Sequence, residues 1–181
     1  MKKTAINHYP YCREELPDLN FTYQFSTHHQ LGYIVYFNNT EYDNWLADFP
    51  LLYNNGYAFG FLRINFGSEI SSVVDTRVAV TICSIISDYL VLQSPETILL
   101  YHCDAADSRQ AVRMRLFQRW FDRYNPGTFI KNDLEVLLVN QRGEVPYYLG
   151  YITRSDNKLI NDFHHEFEQI AQQFIGLSLA K

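Results

Sequence analysis

The sequence is poor in cysteine, in charged residues and in long apolar runs, and each shortage excludes a class of protein. Its three cysteines, Cys12, Cys83 and Cys103, are too few and too scattered for a disulfide framework or a zinc site. Charged residues make up 19% of the chain and hydrophobic residues 47%, a balance that excludes global disorder. The apolar run Val78–Leu92 is interrupted by polar residues and is too short to span a membrane. We therefore expect a globular protein that does not associate with membranes.

The net charge and the first residues of the chain give an expectation about location. A formal net charge of −5 at pH 7 disfavours attraction to nucleic acid and to anionic membrane surfaces. The start, MKKTAINHYP, has two lysines but lacks the apolar segment of a secretory signal. We expect a cytoplasmic protein with reduced thiols and no nucleic-acid partner.

Aromatic side chains are what the chain has in abundance. It contains 14 Tyr, 13 Phe and 2 Trp, which together make up 16% of the residues. Aromatic rings at this density build sheet faces and interfaces, because each ring carries a large apolar area and Tyr keeps a polar group. The composition therefore predicts either a Tyr-rich sheet or a surface that binds a protein or a ligand.

Hydrophobic periodicity predicts an α+β fold with a mixed or mostly antiparallel sheet of about six strands and three helices. The expected order is βββαβαββα, in a single domain over 1–181 whose first twenty residues form an extended arm. The stretch from Gly56 to Gly60, inside a strand-like aromatic run, predicts a bulge or a close contact with a neighbour. The expected strands are 21–27, 32–38, 57–66, 97–103, 134–140 and 146–153, and the expected helices are 75–92, 107–124 and 157–175.

The junction between the strand at 97–103 and the helix expected from Asp107 is a candidate polar site. Strand ends and helix N-termini expose unpaired backbone groups, and Asp104 lies at this junction. A helical wheel places Arg113, and nearly Arg109, in the apolar stripe of the helix. A guanidinium cannot lose its charge, so a buried Arg113 needs an acidic partner or an anionic ligand.

Three interpretations of this junction remain open. The first is an internal network in which Arg113 is buried and paired with Asp75, Asp104 or both, while Asp75 also caps its own helix. The second is an anion or nucleotide site at the helix N-terminus with Arg109 and Arg113. The third is a divalent metal held by Asp104 and Asp107, which the adjacent arginines disfavour. We expect neither a metal nor a cofactor.

Other chemistry-bearing residues give weaker signals. Arg115, Arg119 and Arg123 follow one flank of the helix and could hold nucleic acid, but such rows usually form ion pairs on a solvated face. His164 and His165 are adjacent on a helix and therefore diverge, so they cannot share one metal ion. A nucleophilic Cys103 near a helix N-terminus lacks an oriented third group and a glycine-rich oxyanion loop.

Three short motifs carry a resemblance to a known family. They are Asp75-x-Arg77, then Tyr101-His102-Cys103-Asp104 at a strand end, then Asp107-x-Arg109 opening a helix rich in Arg and Trp. With these motifs, roughly residues 21–153 resemble an uncharacterised family of small bacterial proteins, a domain of unknown function. The resemblance implies no activity, but it suggests that the polar junction is not accidental.

Two functional hypotheses follow from these observations. The first is a non-enzymatic interaction domain with a protein partner, built on a Tyr-rich sheet. The alternative is an enzyme or sensor that binds a small phosphorylated or anionic ligand at the N-terminus of the helix starting near Asp107. Its ligand-binding residues would be Asp75, Asp104, Asp107, Arg109 and Arg113. We also expect a homodimer, because strands 32–38 and 57–66 are apolar on both faces and three helices leave part of them uncovered.

Overall fold

The fold is an α+β arrangement of one mixed sheet with helices on both of its faces. A computed structural model describes residues 8–15, 21–39, 46–65, 75–103, 107–140 and 143–179. Within these ranges it contains seven strands and four helices. In chain order these are β1 (Cys12–Glu14), β2 (Phe21–Ser26), β3 (Leu31–Asn38), α1 (Pro50–Asn55), β4 (Gly56–Asn65), α2 (Thr76–Leu92), β5 (Ile98–Cys103), α3 (Gln110–Tyr124), β6 (Phe129–Asn140), β7 (Gly143–Arg154) and α4 (Ile160–Leu179).

The strand order across the sheet is β1-β2-β3-β4-β5-β7-β6. Neighbouring strands are antiparallel except β4 and β5, which are parallel and are connected through α2. This topology confirms the predicted α+β class and the mixed sheet. A parallel pair needs a long crossover connection, and α2 provides it.

The prediction of six strands and three helices is too low by one strand and one helix. The added strand, β1, lies in the segment expected to be an extended arm, and it pairs with the edge of β2. Its three residues are all exposed, so no hydrophobic alternation marks it. The added helix, α1, has only six residues, so it is too short for a helical period to be visible. It begins with Pro50, a residue that is common at the first position of a helix.

Several element boundaries also differ from the prediction, among them the starts of α3 and β6. Helix α3 begins at Gln110, because Ser108 has a positive φ of 58° and a turn over 107–109 precedes the helix. The Asp107 side chain accepts the backbone N–H of Arg109 at 3.1 Å and so stabilises that turn. Strand β6 begins at Phe129, five residues before the predicted position, as the partner of the long strand β7.

One face of the sheet, called the aromatic face here, is covered by α2 and α3. Its centre is Tyr89 of α2, whose ring stacks on that of Phe37 with centroids 3.8 Å apart. Phe117 of α3 packs in the same way against Phe59, with centroids 5.8 Å apart. The buried strand residues of this face are Tyr23, Phe25, Val35, Phe37, Phe59, Leu99, Tyr101, Cys103, Phe129 and Ile152.

The second face of the sheet is covered over β5, β6 and β7 by α1 and α4. Because successive strand residues point to opposite faces, Ile98 and Leu100 of β5 lie on this side, with Phe163 of α4 packed in the same cluster. The N-terminus of α1 is fixed to α4, since the Glu166 carboxylate accepts the backbone N–H of Leu52 at 2.9 Å. Among the described helices, none is both long enough and apolar enough to cross a membrane.

Two glycines in the sheet each lie beneath a tyrosine of the neighbouring strand. Tyr101 is paired with Gly150, and Tyr36 with Gly60. A Cβ atom added to either glycine would overlap the end of the tyrosine ring. The predicted close contact at Gly60 is therefore confirmed. The two sites differ in burial, since Tyr101 is buried whereas Tyr36 is only partly buried.

We predict that Gly150→Ala destabilises the protein more than Gly60→Ala does. The buried Tyr101 cannot move away from a new methyl group, so we expect a loss on the order of 2 kcal/mol in the free energy of unfolding. Tyr36 is only partly buried, so displacing its ring should cost less and the matched Gly60 variant should lose less stability. Urea denaturation of the two variants measures the difference, and equal losses would contradict this account.

Candidate functional site

The predicted polar junction contains an exposed ion pair. The Arg113 guanidinium donates to Asp107 Oδ2 at 2.6 Å, and the Arg113 side chain is 42% exposed. The hydrogen bond from Arg113 lowers the pKa of the Asp107 carboxyl below its ordinary value. Arg109 is also exposed and occupies the N-cap position of α3 without a side-chain capping bond. Asp104 lies outside the described residues.

The prediction that Arg113 is buried is wrong. The helical wheel treated Val112 and Leu116 as core residues and did not count Met114, but Val112 is 51% exposed and Leu116 is also exposed. The residues of α3 that enter the core are Met114 and Phe117, so the buried direction lies to one side of Arg113. Apolar residues on the solvent-facing side of a helix shift the predicted direction of its buried stripe. Here they shifted that direction onto Arg113.

Asp75 caps α2, as predicted, but its described contacts are with the N-terminal segment and not with Arg113. Its carboxylate accepts the backbone N–H of Arg77 at 3.0 Å and the hydroxyl of Tyr9 at 2.6 Å. The Arg77 guanidinium lies 4.0 Å from the centre of the Tyr9 ring and donates to His28 Nε2 at 2.7 Å. The backbone N–H of Tyr9 donates to Thr81 at 2.9 Å. The Asp75-x-Arg77 motif therefore fastens the segment before β1 to helix α2.

A buried polar cluster that sequence reasoning missed lies beneath α3. The Lys131 side chain is 1% exposed, and its ammonium group donates to Asp133 and to Gln118 of α3. The hydroxyl of Tyr101 donates to the other carboxylate oxygen of Asp133. The spacing of Lys131 and Asp133, two residues apart on one side of a strand, was the available signal, but charges at alternate positions ordinarily indicate a solvent-facing strand side.

The surroundings of this cluster shift the pKa values of its members. Burial lowers the pKa of the Lys131 ammonium, and the Asp133 carboxylate partly offsets the effect. Burial raises the pKa of the neighbouring Cys103 thiol to about 11, so the thiol stays protonated near neutral pH. A protonated thiol is a poor nucleophile, which argues against the Cys103 alternative. In the described part of the chain, no group of His, Cys, Asp and Glu has the arrangement of a metal site.

A cleft of about 320 Å³ lies between α2 and α3. Its inner surface belongs to the core of the aromatic face, where Ile86 and Ile152 are buried. The C-terminal half of α3 and the loop after it form one wall, and the outer side of α2 forms the other. The apolar lining residues are Val80, Ile86, Phe117, Phe121, Pro126, Phe129 and Ile152.

The polar lining of the cleft comes from α2 and from the N-terminal segment. The Tyr11 hydroxyl donates to Asp88 Oδ2 at 2.5 Å, which connects the segment before β1 to the exposed side of α2. The His8 ring lies beside that of Tyr11, with centroids 5.5 Å apart. The remaining polar lining residues are Cys83, Ser84, Ser87, Tyr124 and Asn125. The cleft therefore combines apolar side chains with polar ones, which suits an amphipathic ligand.

The chain belongs to a family of unknown function, DUF6169, whose sequence profile matches residues 74–169, more than half of the chain. The match contains the three motifs described above and confirms the resemblance to an uncharacterised family, although its range begins and ends later than 21–153. All lining residues of the cleft except His8 and Tyr11 lie within the matched range. No curated protein and no solved structure matched the chain.

We predict that Asp133→Ala is strongly destabilising, whereas Asp107→Ala is nearly neutral. Removing Asp133 leaves the buried Lys131 ammonium without its charged partner, a loss on the order of 3 kcal/mol in the free energy of unfolding. Asp107 makes an exposed ion pair with Arg113, and water can solvate Arg113 when the carboxylate is removed, so little stability is lost. Urea denaturation checks both variants, and a neutral Asp133 variant would show that the cluster does not stabilise the fold.

Proposed function

We propose that the protein is a non-enzymatic binding domain whose cleft between α2 and α3 accepts an apolar or aromatic group. The observation that carries this proposal is the cleft itself, of about 320 Å³. Pockets for small molecules typically measure about 300–1,000 Å³ and combine mostly apolar walls with a few polar groups. Apolar atoms supply most of the surface of this cleft, and polar side chains of α2, of the N-terminal segment and of the end of α3 supply the rest.

The thiol and phenol groups of the cleft favour binding over covalent catalysis. Burial raises the pKa of the Cys83 thiol to about 12. Burial, together with the hydrogen bond to Asp88, also raises the pKa of Tyr11. Both groups therefore stay protonated near neutral pH, and neither supplies the anionic nucleophile that covalent catalysis needs.

The alternative, an anion site at the start of α3, stays a prediction. Arg109 and Arg113 are both exposed there, which an anion needs. However, the Asp107 carboxylate already accepts hydrogen bonds from the Arg109 backbone and the Arg113 side chain, so an anion would have to displace it. The cytoplasmic location is likewise a proposal, supported by three cysteines that are all free thiols, in keeping with a reducing compartment.

We predict that Ser84→Trp blocks the cleft. Ser84 is half-buried on the α2 wall, so an indole side chain at this position fills the space that a ligand would occupy. Titration of the wild-type protein with free indole, followed by amide NMR, should give saturable shifts around Cys83 and Asn125. In the variant, the apparent affinity should fall by about tenfold or more.

The matched control for this test is Asn161→Trp, at an exposed position of α4 on the opposite face of the sheet. It adds the same side chain outside the cleft and should leave indole binding unchanged. If indole causes no saturable shifts in the wild-type protein, or if both variants bind it equally well, the cleft is not the binding site and the proposal fails.

A second proposal is that the protein forms a homodimer through the part of the second sheet face that lies over β3 and β4. Leu62 is 58% exposed there, and Ile64, on the same face of β4, is also exposed. In the register of the two strands, Leu62 is the partner of Ile34. Contiguous apolar surface, when it is extensive, commonly marks an interface. Two-fold dimers are the commonest way for a chain to cover such a surface.

We predict that Leu62→Glu converts a dimer into a monomer. The substitution places a charge in the centre of the proposed interface, and Leu137→Glu is the matched control at an exposed leucine on the aromatic face. Light scattering at high micromolar concentration should give a dimer mass for the wild type and for the control only. A monomeric wild-type protein would contradict the proposal.

A further inference from the structure

Asp88 gives the cleft between α2 and α3 an anionic group. Among the described residues that line it, Asp88 is the only one that is an Asp, Glu, Lys or Arg. One of its oxygens accepts the Tyr11 hydroxyl at 2.5 Å, but a carboxylate can accept several hydrogen bonds, and Asp88 is exposed. It therefore retains capacity for a donor from a ligand.

The charge and the apolar surface lie at opposite ends of the cleft. Asp88 is on the exposed side of α2, whereas Ile86 and Ile152 are buried at the base of the cleft. A ligand that contacts both ends must have an apolar body at one end and a hydrogen-bond donor at the other. A cationic donor satisfies Asp88 better than a neutral one, because charge-assisted hydrogen bonds are the stronger kind.

Two aromatic rings of the lining also favour a cation. Tyr11 and Phe121 line the cleft, and the face of an aromatic ring attracts an ammonium group. The net charge of −5 on the whole chain adds a long-range attraction for cations and a repulsion for anions. The local and the overall electrostatics therefore select the same sign of ligand charge.

We propose that the ligand of this cleft is a small amphipathic amine, with an aromatic or aliphatic body bound at the base and an ammonium group bound by Asp88. This inference rests on the binding function proposed above and adds the chemical class of the ligand. The apolar body occupies the space beside Ile86, Phe117 and Ile152. The ammonium group donates to Asp88 next to the Tyr11 hydroxyl.

Three probes that share an indole ring and differ only at the end of the side chain test this inference. They are tryptamine, indole-3-ethanol and indole-3-acetate, which carry an ammonium, a hydroxyl and a carboxylate group. Calorimetric titration of the full chain should show tryptamine binding about tenfold more tightly than the alcohol, with the acetate weakest. In Asp88→Asn, which keeps an acceptor for Tyr11, tryptamine should bind no more tightly than the alcohol.

The matched control is Asp162→Asn, an exposed aspartate on α4 at the opposite face of the sheet, which should keep the preference for tryptamine. If the alcohol binds as tightly as tryptamine, or if the preference survives in Asp88→Asn, the amine assignment is wrong while the binding function stands. If none of the three probes binds, the amine assignment also falls, and the titration with indole decides separately whether the cleft accepts apolar groups.

Discussion

The packing of α2 against the aromatic face of the sheet is the constraint on which the rest of the structure depends. Tyr89 stacks on Phe37 and makes edge contacts with Phe21 and Tyr57, at centroid distances of 5.9 and 5.8 Å. These rings come from three adjacent strands, so one helical side chain fixes the position of α2 across them. Since α2 also connects the parallel strands β4 and β5, its placement determines where β5 enters the sheet.

The position of α3 follows from that of α2, and the cleft follows from both. With α2 over β2, β3 and β4, the free part of the aromatic face lies over β5, β6 and β7, where Phe117 packs edge-on against Tyr101 at 5.0 Å. The cluster of Lys131, Asp133 and Gln118 then ties α3 to β6. This polar cluster holds α3 over β6, on the side away from α2. A space therefore remains between the two helices, and this space is the cleft.

Periodicity in the sequence was sufficient for the fold class and for the long elements, because each long strand or helix buries one side of a regular pattern. It could not reveal β1, whose pairing with β2 depends on backbone hydrogen bonds and not on burial. It misplaced Arg113, because Val112 and Leu116 are apolar residues on the outer side of α3. The cleft depends on the separation of two helices that are distant in sequence, which no local pattern encodes. The assignment of 1–181 to a single domain stays a prediction.

A crystal structure of the full chain grown with indole tests the central claim most directly. The account places the ring in the cleft between α2 and α3, against Ile152 and Phe117 and below the contact between Tyr11 and Asp88. Electron density for the ring at that position, with Tyr89 still stacked on Phe37, is the predicted result. Density only at other surfaces, or helices packed together with no space between them, would contradict the account.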